Sequence, residues 1–188
     1  MAEGANNSAV LQVALAEFSA LRSEIKDRSS YAWALVNLDI TATGVLFGFV
    51  LSKSGDPKLL LALPLLAPAL GLLFLDHAYN INNLGSYIGK RLRPIVLEAA
   101  GSTDLLGYEE AMDQYEEHRF LRIVPLGLPI TLLFSALPAG GLIFVIPSLD
   151  AGWAWVVWGF GLLLVLVQTT LWLTFMLNPG RMDPLKKT

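Results

Sequence analysis

An all-α, polytopic membrane protein is the fold class this sequence predicts, and three observations predict it. Hydrophobic residues make up 54 % of the 188-residue chain and charged residues only 15 %, against roughly 25 % charged in an ordinary soluble domain. Four separate segments stay apolar for close to the ~20 residues that a helix needs to cross a bilayer. Eleven of the 13 Lys and Arg fall on one side of those four segments. A soluble domain of this length could not bury so much apolar surface. The same composition excludes a disordered tail, and the lack of Cys excludes a disulfide scaffold. A net charge of −3 argues against a nucleic-acid partner.

Residues 1–30 read as a cytoplasmic amphipathic helix. Leu11, Ala14, Leu15, Phe18, Leu21 and Ile25 recur at helical spacing. Acids and bases balance on the opposite face, which favours packing against other helices over lying on the lipid surface. Glu24 and Arg28 add an i,i+4 pair. The first span follows over 31–52, and with no apolar run before it, it is expected to act as an uncleaved anchor rather than a signal peptide. Lys53 to Pro57 is a turn-rich cluster. The second span covers 58–77.

Residues 78–121 are expected to form a cytoplasmic helical hairpin region. Ile81, Leu84, Ile88, Leu92 and Ile95 carry an apolar stripe out of the second span, Pro94 is placed to interrupt or restart the helix, and Gly101 with Ser102 ends it. Tyr108 to Arg122 reads as an acidic helix with Tyr108, Met112 and Tyr115 on one face. The third span covers 122–147 and the fourth 153–178, with a short turn between them and a cytoplasmic tail over 179–188. The one-sided Lys and Arg place both termini in the cytoplasm of a bacterial-type inner or plasma membrane. Trp153, Trp155 and Trp158 at one end of the spans, and Trp33 and Trp172 near the other, fit interfacial belts.

Asp39 is the sharpest single feature. At 1.5 Å per residue it lies about 20 Å below Ser52, inside a hydrocarbon core about 30 Å thick. A charge at the centre of a spanning helix costs about 2.5–3.5 kcal/mol on insertion scales. Such a group needs a partner, water or a proton. Companions at related depth are Asn37, Thr43, Asp76, His77, Arg122 and Gln168. Together they predict a polar zone in the cytoplasmic half of the bundle. It is read either as interhelical hydrogen bonding or as a water-filled path. On another face of the same helix, Thr41, Gly44 and Gly48 line up with Asn37 and Ser52. That face suits close helix packing, within the chain or between copies, with a pore-facing stripe as the alternative. The prolines of the second and third spans are expected to shape the helices passively, or to serve a gate.

No catalytic residue, metal site or cofactor is expected. The chain has no Cys and only two His, His77 and His118, and no hydrolase, zincin or phosphate-loop motif is present. The function expected is a homo-oligomeric ion channel or pore. Asp39, with Thr43 or Asn37, would line a path at the oligomer axis, and the acidic cytoplasmic helices would form its vestibule. The alternative is a non-conducting sensor or scaffold whose cytoplasmic helices recruit a partner protein. Expected partners are thus the lipid bilayer, further copies of the chain and a cytoplasmic protein.

Overall fold

The computed structural model describes residues 2–52, 55–101, 127–150 and 152–177, without the side chains of residues 2–7. Every regular element among them is helical, and four helices are long and apolar enough to cross a membrane. The acidic segment expected to be helical over 108–122, the tail 179–188 and Arg122 lie outside the described residues.

Helix α1 runs unbroken from Ala2 to Val50. The amphipathic helix expected over 1–30 and the span over 31–52 are therefore one rod. The reason is local: no Gly or Pro stands between Gly4 and Gly44, so nothing stops propagation. Its 49 residues extend about 74 Å, more than twice the ~30 Å of a hydrocarbon core. A large part of α1 must project from any membrane that holds its apolar end.

The chain re-enters at Asp56, whose side chain accepts a hydrogen bond from the Lys58 amide at 2.9 Å. A 3₁₀ turn, Pro57–Ala62, passes into α2, Leu63–Tyr87. Then comes a π turn, Ile88–Leu92, and α3, Arg93–Ala100. Pro94 does not break this helix. It has no N–H to donate to the Lys90 carbonyl, and just before it the Arg93 amide reaches back to the Ile88 carbonyl, five residues away. The wide turn takes one residue more than an α turn. The buried stripe therefore continues from Ile88 and Leu92 to Val96, while Ile95, expected on that stripe, is 45 % exposed.

Gly101 ends α3 in the left-handed region at φ 62°. Gly101→Ala is expected to cost about 1 kcal/mol, because a Cβ is disfavoured at that backbone angle. Thermal unfolding followed by circular dichroism checks this.

The third helical stretch repeats the proline device. Helix α4, Leu128–Thr131, leads into a π turn, Leu132–Ala136, and then α5, Leu137–Val145. Pro138 follows the π turn by two residues, as Pro94 follows the other. Here the Leu137 amide reaches the Leu132 carbonyl. A short 3₁₀ turn, Ile146–Ser148, joins this stretch toward α6, Gly152–Leu177.

Helix α2 is the hub, packing against α1, α5, α6 and the π turn Leu132–Ala136. The core lies in layers. At the turn end, Leu61, Val145, Leu149 and Ala154 cluster, and Lys58 pairs with Asp150 at 2.6 Å across the two turns. Deeper, Val36, Leu70, Ile130, Phe134 and Trp172 pack together, with Phe74 against both Phe134 and Trp172. Far along the rod, Ala14, Leu92 and Val96 meet with Leu11, Phe18 and Leu21 around them. The Tyr87 hydroxyl donates to Glu17 there at 2.8 Å. The N-terminal half of α1 thus packs on the α2–α3 extension through most of its expected apolar face, though Leu15 is 47 % exposed. We call this paired extension the stalk. Leu38, Ile40, Val45, Phe49, Phe144, Val156 and Leu163 point outward, as a lipid-facing surface requires.

Candidate functional site in the helix bundle

Asp39 sits on the inward face of α1. That face reads Ala32, Val36, Asp39 and Thr43, all buried, at spacings that stack on one side of a helix. Asp39 has no exposed surface, and neither carboxylate oxygen has a hydrogen-bond partner among the described residues. Four polar side chains are buried among the described residues: Asp39, Thr43, Ser135 and Gln168.

By register, Asp39, Ser135 and Gln168 lie just toward the turn end from the Val36–Phe134–Trp172 cluster, with Thr43 one turn further along α1. Asp39 lies one turn beyond Val36 on α1. Ser135 follows Phe134 in the π turn, and α1 touches that turn. Gln168 lies one turn before Trp172 on the antiparallel α6. The Ser135 hydroxyl donates to Gln168 Oε1 at 2.8 Å. The Gln168 amide occupies space that Gly71 leaves free: a Cβ at Gly71 would lie 3.0 Å from Gln168 Nε2 and 3.0 Å from the Phe134 Cβ. Below, Trp172 Nε1 donates to Thr131 Oγ1 at 2.9 Å, and Thr131 donates on to the Gly127 carbonyl at 2.7 Å. That chain holds the indole floor of the layer in place.

The predicted site residues separate into three groups. Asp39, Thr43 and Gln168 are buried in the bundle. His77 is half-buried nearer the stalk and stacks on Tyr31 with ring centroids 6.0 Å apart. Asn37 and Asp76 are exposed and do not join the interior layer. Ser135 was missed, because a lone Ser in an apolar span carries no signal of its own. The proline three residues later was the available clue: Pro138 and the π turn before it re-aim the residues at that point of the helix.

The small-residue face does not pack against the described residues. Asn37, Thr41, Gly44 and Gly48 are exposed, and a Cβ on Gly44 or Gly48 would meet nothing within 4 Å. Thr41 spends its hydroxyl on the Asn37 carbonyl at 2.8 Å. The close approaches are elsewhere. A Cβ on Gly161 would fall 2.9 Å from the Pro64 Cβ, and one on Gly71 3.0 Å from the Phe134 Cβ. Gly44→Ala and Gly48→Ala are accordingly expected to leave the monomer's melting point unchanged or raise it slightly, by at most about 1 kcal/mol each through helix propensity. Detergent-phase melts of the two variants test this.

Among the described residues no three His, Cys, Asp or Glu gather as a metal site. Comparison of the chain with protein-family models, curated proteins and solved structures returns no match.

Proposed function

We propose that this chain is an integral membrane sensor or scaffold in which the state of the Asp39 layer is passed to the stalk. One observation carries the reading. Asp39 is sealed inside the bundle on a helix that continues without a break into the stalk. A rod of this kind transmits displacement or rotation because its hydrogen bonds resist local bending. The stalk has its own apolar core and the Tyr87–Glu17 hydrogen bond, so the two helices respond as a pair. In this reading the stalk, projecting into the cytoplasm, is the surface offered to a partner protein.

A channel or pore is the second reading, and one observation favours it. Among the described residues four polar side chains are buried in the interior of an otherwise apolar bundle, the usual placing of ion-path residues. A conducting path would then run through each subunit, since the face of α1 bearing Asp39 is turned away from the exposed Gly44–Gly48 face that a further copy would meet. The described conformation is its shut state. Asp39 has no exposed surface, and Leu60, Leu63 and Val145 close the bundle toward the turn end.

Hydrogen exchange and ion flux on the same proteoliposomes separate the two. Under the sensor reading, Asp39→Asn changes amide protection in residues 8–30 and 88–100 by about tenfold or more, and neither protein passes ions. Exchange differences confined to the bundle overturn it. Flux that Asp39→Asn alters establishes the second reading instead.

A further inference from the structure

We propose that the buried layer of Asp39, Thr43, Ser135 and Gln168 is a binding site for one dehydrated monovalent alkali cation, with sodium as the probe. The inference rests on the reading of the four helices as a membrane bundle and names the ligand to which the stalk would respond.

The argument starts from what Asp39 lacks. Its two oxygens are buried and accept no hydrogen bond from the described residues. Thr43, Ser135 and Gln168 are buried in the same bundle, yet none of them donates to it. Ser135 has committed its proton to Gln168 Oε1. Its lone pairs are left to face a cation rather than its hydrogen a carboxylate. The layer therefore supplies acceptor atoms: one carboxylate, two hydroxyl oxygens and one amide oxygen. Oxygen donors of this type select hard cations.

Charge sets the valence. One carboxylate and one monovalent cation sum to zero, which is what a low-dielectric interior tolerates. A divalent ion would leave a net positive charge there, with no second acid among the buried polar side chains of the described residues. Soft and transition metals are disfavoured by the absence of any His, Cys or acid cluster among the described residues. A proton would neutralise the acid by itself and would make no use of the three neutral oxygens. The π turn ahead of Pro138 carries Ser135 into the layer.

The test uses the full chain in detergent, with melting followed by Trp fluorescence. Trp172 stands one turn from Gln168, so the signal reports on the site. Choline, lithium, sodium and potassium chlorides are compared at equal ionic strength. Sodium is expected to raise the melting point by about 4 °C at ten times its dissociation constant. Asp39→Asn should abolish the rise, and Ser135→Ala should weaken sodium affinity about tenfold. Radioactive sodium binding to the unmodified chain provides a readout that does not depend on a variant's folding. Equal melts in choline and in every alkali salt, with no bound sodium, overturn the proposal. A shift that follows pH alone also overturns it and assigns the layer to a proton. Bound sodium without any change in stalk exchange leaves the site standing and defeats the sensing reading. A stalk that responds to Asp39→Asn while no sodium binds does the reverse.

Discussion

Asp39→Val is expected to make the folded protein more stable, by about 1–3 kcal/mol in alkali-free buffer, while removing whatever the layer does. The direction follows from the buried, unpartnered carboxyl. A buried polar group with no hydrogen bond forfeits its hydration and gains nothing in return, at a cost of about 1–3 kcal/mol. Val branches at Cβ where Asp branches at Cγ, but it is small enough to need only slight repacking against Ala32, Val36 and Thr43. Asp39→Asn serves as the control that removes charge but keeps a polar group. It should gain less than Val, since an amide without partners still carries most of the desolvation penalty.

The result separates a structural polar group from a functional one. If Asp39 held the bundle together through an interaction, Val would destabilise it. Most point substitutions cost about 1 kcal/mol, so a clear gain from changing a fully buried residue is diagnostic. It would mark a position where the chain holds a costly group for a reason other than folding. Reversible unfolding in mixed detergent, read by Trp fluorescence, supplies the number. A loss of stability with Val, in the absence of alkali ions, would mean that Asp39 has a stabilising partner and would remove the main support for a ligand site.

What could be read from the sequence depended on how strong the local pattern was. Four long apolar helices were legible because twenty apolar residues in a row have few alternative fates, but the first two run far past the expected spans, over Ser8–Val50 and Pro57–Ala100. The stalk contact was legible from the face of Leu11, Ala14, Phe18 and Leu21. The join between helix and span in α1 was not, because a change in composition at residue 30 looks like a boundary although no helix breaker is present. Ile95 was placed on the wrong face because a π turn adds a residue, and that shift is invisible to a fixed helical period. Asp39, Thr43 and Gln168 were found by their cost in hydrocarbon. Asn37 and Asp76 met the same criterion and are exposed, since depth along a helix says nothing about which way a side chain faces. The glycines show the same limit. Gly44 and Gly48 have the spacing of a packing face, yet a Cβ on either would meet nothing among the described residues, whereas Gly161 and Gly71, in no such pattern, sit at the close contacts.

Gly161→Leu is expected to be among the most damaging single substitutions in the bundle, and Gly71→Leu a close second. Even a methyl at Gly161 would meet Pro64 at 2.9 Å, and Pro64 is a ring fixed in the first turn of α2. It cannot rotate away as a flexible side chain would. Helices α2 and α6 would have to separate, and α2 is the hub on which the other helices pack. Overpacking of this kind costs about 1–3 kcal/mol for a few added methylenes, and Leu adds more than that. In a membrane no hydrophobic force presses the helices back together, because lipid tails are as apolar as Leu, so lost packing is not recovered elsewhere. Gly71→Leu strikes Gln168 Nε2 and Phe134 at 3.0 Å. It should therefore lower the melting point and also disturb the polar layer through the Ser135–Gln168 bond. The smaller Gly71→Ala separates these effects. Its methyl asks for a shift of a few tenths of an ångström, so stability should fall by about 1 kcal/mol. Sodium-dependent stabilisation should fall with it, because the Gln168 amide has to turn. Gly161→Ala, on the Pro64 side, should lower stability while leaving any sodium dependence in place. If both alanine variants change melting and sodium response together, the layer is not an independent site but one part of a uniformly coupled core.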